Sequence, residues 1–337
     1  MNNSLDIFSR MLQSEIPVID SYRVLIHNGH FVRNNQPNHL PDNIIVDCAA
    51  SAQIGDNGFY MYVPAHTKLS KPVQIINLFD KDCEATTQTR NLVIIETGSA
   101  AELLIDDFTF SGAHGTCNDI TEISLGETAN LEMVRLQKLN SVTMLNTETI
   151  IEQATLSRMK TYFITLGGRK IHNRLKVKLC GKMAEHLANG LSLTEQTENV
   201  SNDIRIVHAS PDCQSTQLFK NILSDKSTGA YSGRIVVEKN AQKTIAYQRN
   251  CNILLHPKSK INICPQLEIY ADDVQCSHGA TVGQLDAEAL FYLRSRGISE
   301  SEAKNMLLHA FACEALDSIS CMSLKDSILR LIEQKRN

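Results

Sequence analysis

The 337-residue chain contains no tryptophan, and aromatic residues make up only 5% of it. Carbohydrate-cleaving clefts stack sugars on aromatic side chains, so a polysaccharide lyase or hydrolase is poorly supplied here. No G-x-x-x-x-G-K-[ST] phosphate loop is present, which removes nucleotide hydrolysis by that route and assigns any ATPase to a separate subunit. G-x-S-x-G and H-E-x-x-H are also missing, and with them two common hydrolase classes. Neither sign of charge dominates: the formal net charge is -4, with no basic stripe for nucleic acid and no polybasic membrane patch. No apolar run approaches the roughly 18 residues of a membrane span. The opening residues, from Met1 to Arg10, lack the charged-then-apolar order of a signal peptide, so a cytoplasmic location is expected.

The ten cysteines include no C-x-x-C pair. Scattered through a long chain without an export signal, they are expected to be reduced thiols, most of them small buried apolar residues. A self-sufficient zinc or cluster site is therefore not expected.

What is present is a 42% apolar composition, ample for a core, and three textures along the chain. Residues 1–45 read as a helical or irregular cap, with Leu5, Phe8, Met11 and Leu12 at helical spacing. Residues 46–284 carry short alternating runs such as Leu92–Glu96, Ala101–Ile105 and Ile120–Leu125. Turn signals at Gly98, Gly126, Glu152, Cys180, Ser210 and Lys239 recur about every 25 to 30 residues, the spacing of stacked coils. Periodicity leaves a parallel β-solenoid and a sandwich or barrel both open.

Residues 285–337 switch to helical spacing. Asp286 is placed to cap a helix from Ala287 to Arg296 that ends at Gly297. Ser299 and Glu302 form a capping-box signature for a second helix with a stripe of Ala303, Met306, Leu307, Ala310 and Phe311. A third carries Leu324, Ile328, Leu331 and Ile332.

The chemistry-bearing segment is Leu267–Asp286. Strand alternation puts Cys276 and His278 on one face with Val274 and Ala280, and that face is expected to be dry, either interior or covered. A thiol and an imidazole suit zinc or iron-sulfur units, but such sites usually take four ligands, so this is half a site. A core histidine beside a buried thiol is the plainer alternative. Asp272 and Asp273, adjacent on the chain, point to turn or surface roles, and the basic run Arg169–Lys178 to a solvated strand face.

Leu267–Asp286 resembles the signature of the SufB/SufD family of iron-sulfur assembly scaffolds. Phe59–Pro64, His208–Pro211, Ser215–Lys220, Ala241–Asn250, Leu290–Ile298 and Ala310–Ala312 resemble further family segments in the same order. The resemblance covers roughly residues 55 to 320 and is most specific from 205 to 311. It implies a right-handed parallel β-helix flanked by helical parts. It also implies a non-catalytic scaffold of the Suf assembly complex that pairs with SufB through β-helix ends and binds the SufC ATPase through its C-terminal helices. A transient iron-sulfur cluster is expected where the subunits meet, with His278 and Cys276 as ligands, and no cofactor held stably by the isolated chain. SufB-type members have carboxylates at these two positions, which places this chain on the SufD side of the family. A tryptophan-bearing N-terminal segment, frequent among members, is missing here. A purely structural homodimer that binds SufC is the competing expectation.

Overall fold

The computed structural model describes residues 16–17, 19–32, 40–41, 43–81, 85–110 and 112–336. Leu5, Phe8, Met11 and Leu12 lie outside the described residues. Contacts divide the described residues into two units, one of them Tyr22–Gln284 and the other carrying the helices that follow Leu285.

Tyr22–Gln284 is a parallel β-solenoid of about eight turns. From Phe59–Val63 onward, successive strands alternate between a nine-stranded and a ten-stranded sheet, so each pairs in parallel with the strand one coil away and not with its neighbour in sequence. Register partners of these strands on adjacent coils lie between 26 (Met144–Lys170) and 32 (Thr228–Lys260) residues apart, overlapping the spacing of the turn signals. Burial alternates along the strands of the nine-stranded sheet, whereas strands of the ten-stranded sheet such as Val73–Phe79 and Asn130–Lys138 are buried almost throughout. In Lys170–Leu179, Ile171, Asn173, Leu175, Val177 and Leu179 are buried, while Lys170, Lys176 and Lys178 are exposed and Arg174 is half-exposed. The basic run is the wet face expected of it, neutralised in part by Glu148, 2.6 Å from Lys176.

The coils turn at a row of left-handed residues: His66, Gly98, Thr128, Leu156, Met183, Asp212 and Lys243, all with φ between 56° and 69°. Each donates its backbone N–H to a carbonyl of the next coil, from His66 to Thr97 (2.8 Å) and Gly98 to Glu127 (2.8 Å) through to Lys243 to Asp273. Six of the seven are not glycine, so each carries the steric cost of a Cβ in this region. The repeated hydrogen bond offsets it.

Inward side chains form one apolar column that includes Phe59, Ile75, Leu103, Phe163, Leu175 and Phe219. A charged cluster interrupts it. Arg135, 1% exposed, donates Nε to Asp107 Oδ2 (2.6 Å), Nη2 to Asp107 Oδ1 (3.0 Å) and Nη1 to Asp119 Oδ1 (2.5 Å). Burial alone would raise Asp119, but Arg135 and hydrogen bonds from Thr89 and Asn91 hold its carboxyl below the usual range.

The solenoid starts earlier than residue 46. Tyr22–His27 is a strand inside the expected N-terminal cap, paired in parallel with Val73–Phe79, and Val24, Leu25 and Ile26 are buried. Its apolar run is too short and continuous for periodicity to separate strand from helix, and its partner lies 51 residues away.

In the second unit, α1 (Ala287–Ser295), α2 (Glu300–Leu316) and α3 (Met322–Arg336) follow in order. Asp286 accepts from the N–H groups of Glu288 and Ala289, and Ser299 with Glu302 forms the expected capping box. Leu324, Ile328, Leu331 and Ile332 are all buried. The stripe expected on α2 is rotated: Ala303 is buried, but Leu308, Ala312, Ala315 and Leu316 replace Met306, Leu307, Ala310 and Phe311, and Met306 is 50% exposed. The segment has two candidate apolar stripes, and only packing chooses between them.

Candidate functional site

The two ends of the solenoid differ. At the N-terminal end each sheet finishes in a short antiparallel strand: His30–Phe31 folds back on the first strand, and Ile45–Cys48 pairs with Phe59–Val63. At the C-terminal end both sheets stop at full ten-residue strands, Lys260–Ile269 and Val274–Gly283, each paired on one side only. Such an edge presents a row of unpaired N–H and C=O groups.

Val274–Gly283 carries the Cys-x-His pair. Its register against Thr244–Ile253 sets Cys276 opposite Ala246 and His278 opposite Gln248. Ala246 and Gln248 are buried, so Cys276 and His278 extend the interior face of the sheet by one coil. No further coil covers them. Cys276 is half-buried, packed with Val274 and Leu267 on a small apolar cluster of Ile235, Val237, Ala241, Ala246 and Ala271. Burial pushes its thiol up, opposed in part by the Ala246 backbone. His278 is exposed, as is Ala280.

The expected dry, covered face is therefore only half present: Cys276 has an apolar floor, and His278 stands open. Alternation along the strand correctly put both on one face, but whether that face is covered depends on where the stack of coils ends, which alternation does not encode. Asp273 sits in the preceding turn, its N–H bonded to Gln242 Oε1 (3.0 Å) and its carbonyl to Lys243, the turn role foreseen for it.

Sequence reading missed Gln248. Behind His278, it donates Nε2 to the Gly233 carbonyl (3.1 Å), while its buried Oε1 has no hydrogen-bond partner. Register pairing across coils is what brings it there, and no local motif signals it.

Chemically, the pair offers one soft and one borderline donor on one open face. Among the described residues no group of three or more His, Cys, Asp or Glu side chains is arranged to hold a metal ion. The donor types suit iron-sulfur cargo; their number does not complete its coordination.

Residues 78–311 match the model of the family described as SUF system FeS cluster assembly, SufBD core domain. The chain is similar to an iron-sulfur cluster assembly SufBD family protein of Synechocystis sp., 32% identical over 286 residues, covering 81% of this chain and 62% of that protein. It is likewise similar to the iron-sulfur cluster assembly protein SufD of Escherichia coli, 34% identical over 229 residues, 67% of this chain and 52% of that one. SufD of Bacillus subtilis is 24% identical over 309 residues, 88% and 69% of the two chains. The chain thus spans about half to three-fifths of the length of the first two relatives. A parallel solenoid, an open Cys-x-His edge and a family match through most of the chain converge: this chain belongs to the SufBD core domain family of the SUF system for FeS cluster assembly.

Proposed function

We propose that this chain is a non-catalytic scaffold subunit that adds its open C-terminal edge to that of a SufB-type subunit and contributes His278 and Cys276 to a cluster assembled between them. The observation that carries the reading is the exposed His278 beside half-buried Cys276 on an unpaired edge strand. A strand added to this edge satisfies its backbone groups and covers the Cys276 floor in one step. Two donors from each side make a set of four, the number such a cluster takes. The C-terminal helices are the proposed docking element for the SufC ATPase; Phe291 of α1 is 75% exposed there, with Tyr292 beside it at 56%. The supporting comparison is family membership, since relatives of this chain carry iron-sulfur assembly in their names.

The test is co-expression with the SufB-type and SufC-type chains, air-free purification, and assay of bound iron and sulfide. The complex of the unaltered chain is expected to carry both. His278→Ala, on an exposed side chain, should leave assembly intact and abolish most of the cluster. An unchanged iron and sulfide yield in the variant refutes the ligand role. A stable complex free of iron in both cases favours the alternative, in which the chain pairs with a second copy of itself and only holds SufC subunits in place.

A further inference from the structure

The second unit holds a thiol, an imidazole and a carboxylate in contact, separate in the chain from the Cys276–His278 edge. Cys313 and His309 lie one helical turn apart on α2, with Cys313 Sγ 3.4 Å from His309 Nδ1 and 3.9 Å from Nε2. Across from them on α3, Glu333 Oε1 lies 3.5 Å from His309 Nε2. Sequence spacing alone explains the first pair, since residues four apart share a helix face. Packing of α2 against α3 adds the third. Leu308, Ala312 and Ala315 of α2 and Ile328, Leu331 and Ile332 of α3 are buried, so the facing sides of both helices are held. Cys313 is half-buried and in no disulfide, and the His309 and Glu333 side chains are 36% and 60% exposed, which leaves a route for a small reagent.

A nucleophile within reach of a base, with the base oriented by a third group, is the arrangement that activates a weak nucleophile. We propose that Cys313, with His309 as its base and Glu333 as the positioning residue, is a reactive thiol that exchanges with small disulfides. His309 takes the thiol proton. The Cys313 thiolate attacks one sulfur of the disulfide, a new S–S bond forms as the old one breaks, and the departing thiolate takes the proton back from the imidazolium. The products are a mixed disulfide on Cys313 and one free thiol, with no net change in oxidation state.

Two features sharpen the assignment. Cys313 lies in the last turn of α2, where the helix carbonyls disfavour a thiolate, so activation must come from the imidazole and not from the helix. Elsewhere, burial pushes up the thiols of Cys180, Cys213 and Cys276, and Cys117 is buried, so these compete poorly. This site is independent of the proposed scaffold role.

The experiment reacts the full chain with 5,5′-dithiobis(2-nitrobenzoic acid), and separately with cystamine, at pH 7, quenching at intervals and locating the modified cysteines by peptide mass spectrometry. Cys313 is expected to react about tenfold faster than exposed Cys180 and Cys264. His309→Gln should bring it down to their rate, and Glu333→Gln should slow it while altering the 15N shifts of the His309 ring, a signature that a merely structural carboxylate would not move. Cys313→Ser should remove the fast phase. A Cys313 rate no greater than that of Cys264 in the unaltered chain overturns the proposal even if a variant fails to fold, and so does an unchanged rate in folded His309→Gln.

Discussion

Two histidines inside the solenoid should make its stability fall in mild acid. His186 is 3% exposed, with Nδ1 2.7 Å from Gln153 Oε1, and His208 is fully buried, with Nε2 2.8 Å from Ser215 Oγ. Burial, with His208 nearby, pushes His186 from 6.5 down to about 3; burial pushes His208 down to about 4. Above pH 6.5 both are neutral whether the chain is folded or not, and they cost nothing. As pH falls through 6.5, the unfolded chain takes up protons that the folded chain refuses, so stability drops until the folded values are reached. At about 1.4 kcal/mol per pH unit for each ring, the pair removes about 6 kcal/mol between pH 6.5 and 4.

Asp106 works in the opposite direction. Burial, against a hydrogen bond from Gln74, raises its carboxyl from 3.8 to about 7. Folding therefore takes up a proton between those values, and acidification from pH 7 to 4 returns about 4 kcal/mol. The three groups together leave a net loss of about 2 kcal/mol, a small difference between large terms. Single variants separate them. Urea midpoints followed by circular dichroism at pH 7.5, 6, 5 and 4.5 should fall modestly for the unaltered chain, fall steeply for Asp106→Asn, and rise for His186→Asn with His208→Gln. If the double histidine variant keeps the pH slope of the parent, the buried-imidazole argument is wrong.

Arg135→Met leaves Asp107 and Asp119 buried without their shared cation and should cost about 3–5 kcal/mol, read as a lowered urea midpoint at pH 7. Gly190 faces the Phe219 ring, and a Cβ there would overlap the ring that lies 5.2 Å from the Tyr231 ring; Gly190→Ala should cost about 1–3 kcal/mol and move the near-ultraviolet signal of that pair. Asp286→Ala removes the acceptor for the first N–H groups of α1 and should cost about 1 kcal/mol, seen as faster amide exchange at Glu288 and Ala289 with solenoid exchange unchanged.

Much of this architecture was readable along the chain because its causes are local. Strand alternation in Lys170–Leu179, the caps at Asp286 and Ser299, and the shared face of Cys276 and His278 each follow from the direction a side chain takes a few residues from its neighbour. The coil length was legible as well, and the turn signals fall at the corners, although not every left-handed residue there announces itself. Gly98 marks its corner, but Leu156 and Met183 hold the same left-handed geometry without any residue type that announces it.

Folding in three dimensions settled the rest, through contacts between residues a coil or more apart. Tyr22–His27 is a strand because Val73–Phe79 pairs with it, and the stripe on α2 is the one that packing selects. The Arg135 cluster draws its carboxylates from two other strands, and Glu333 reaches His309 from another helix. The site itself depends most on this: a Cys-x-His pair is the same string of residues in a core or on an edge, and only the end of the stack after Gly283 leaves His278 exposed.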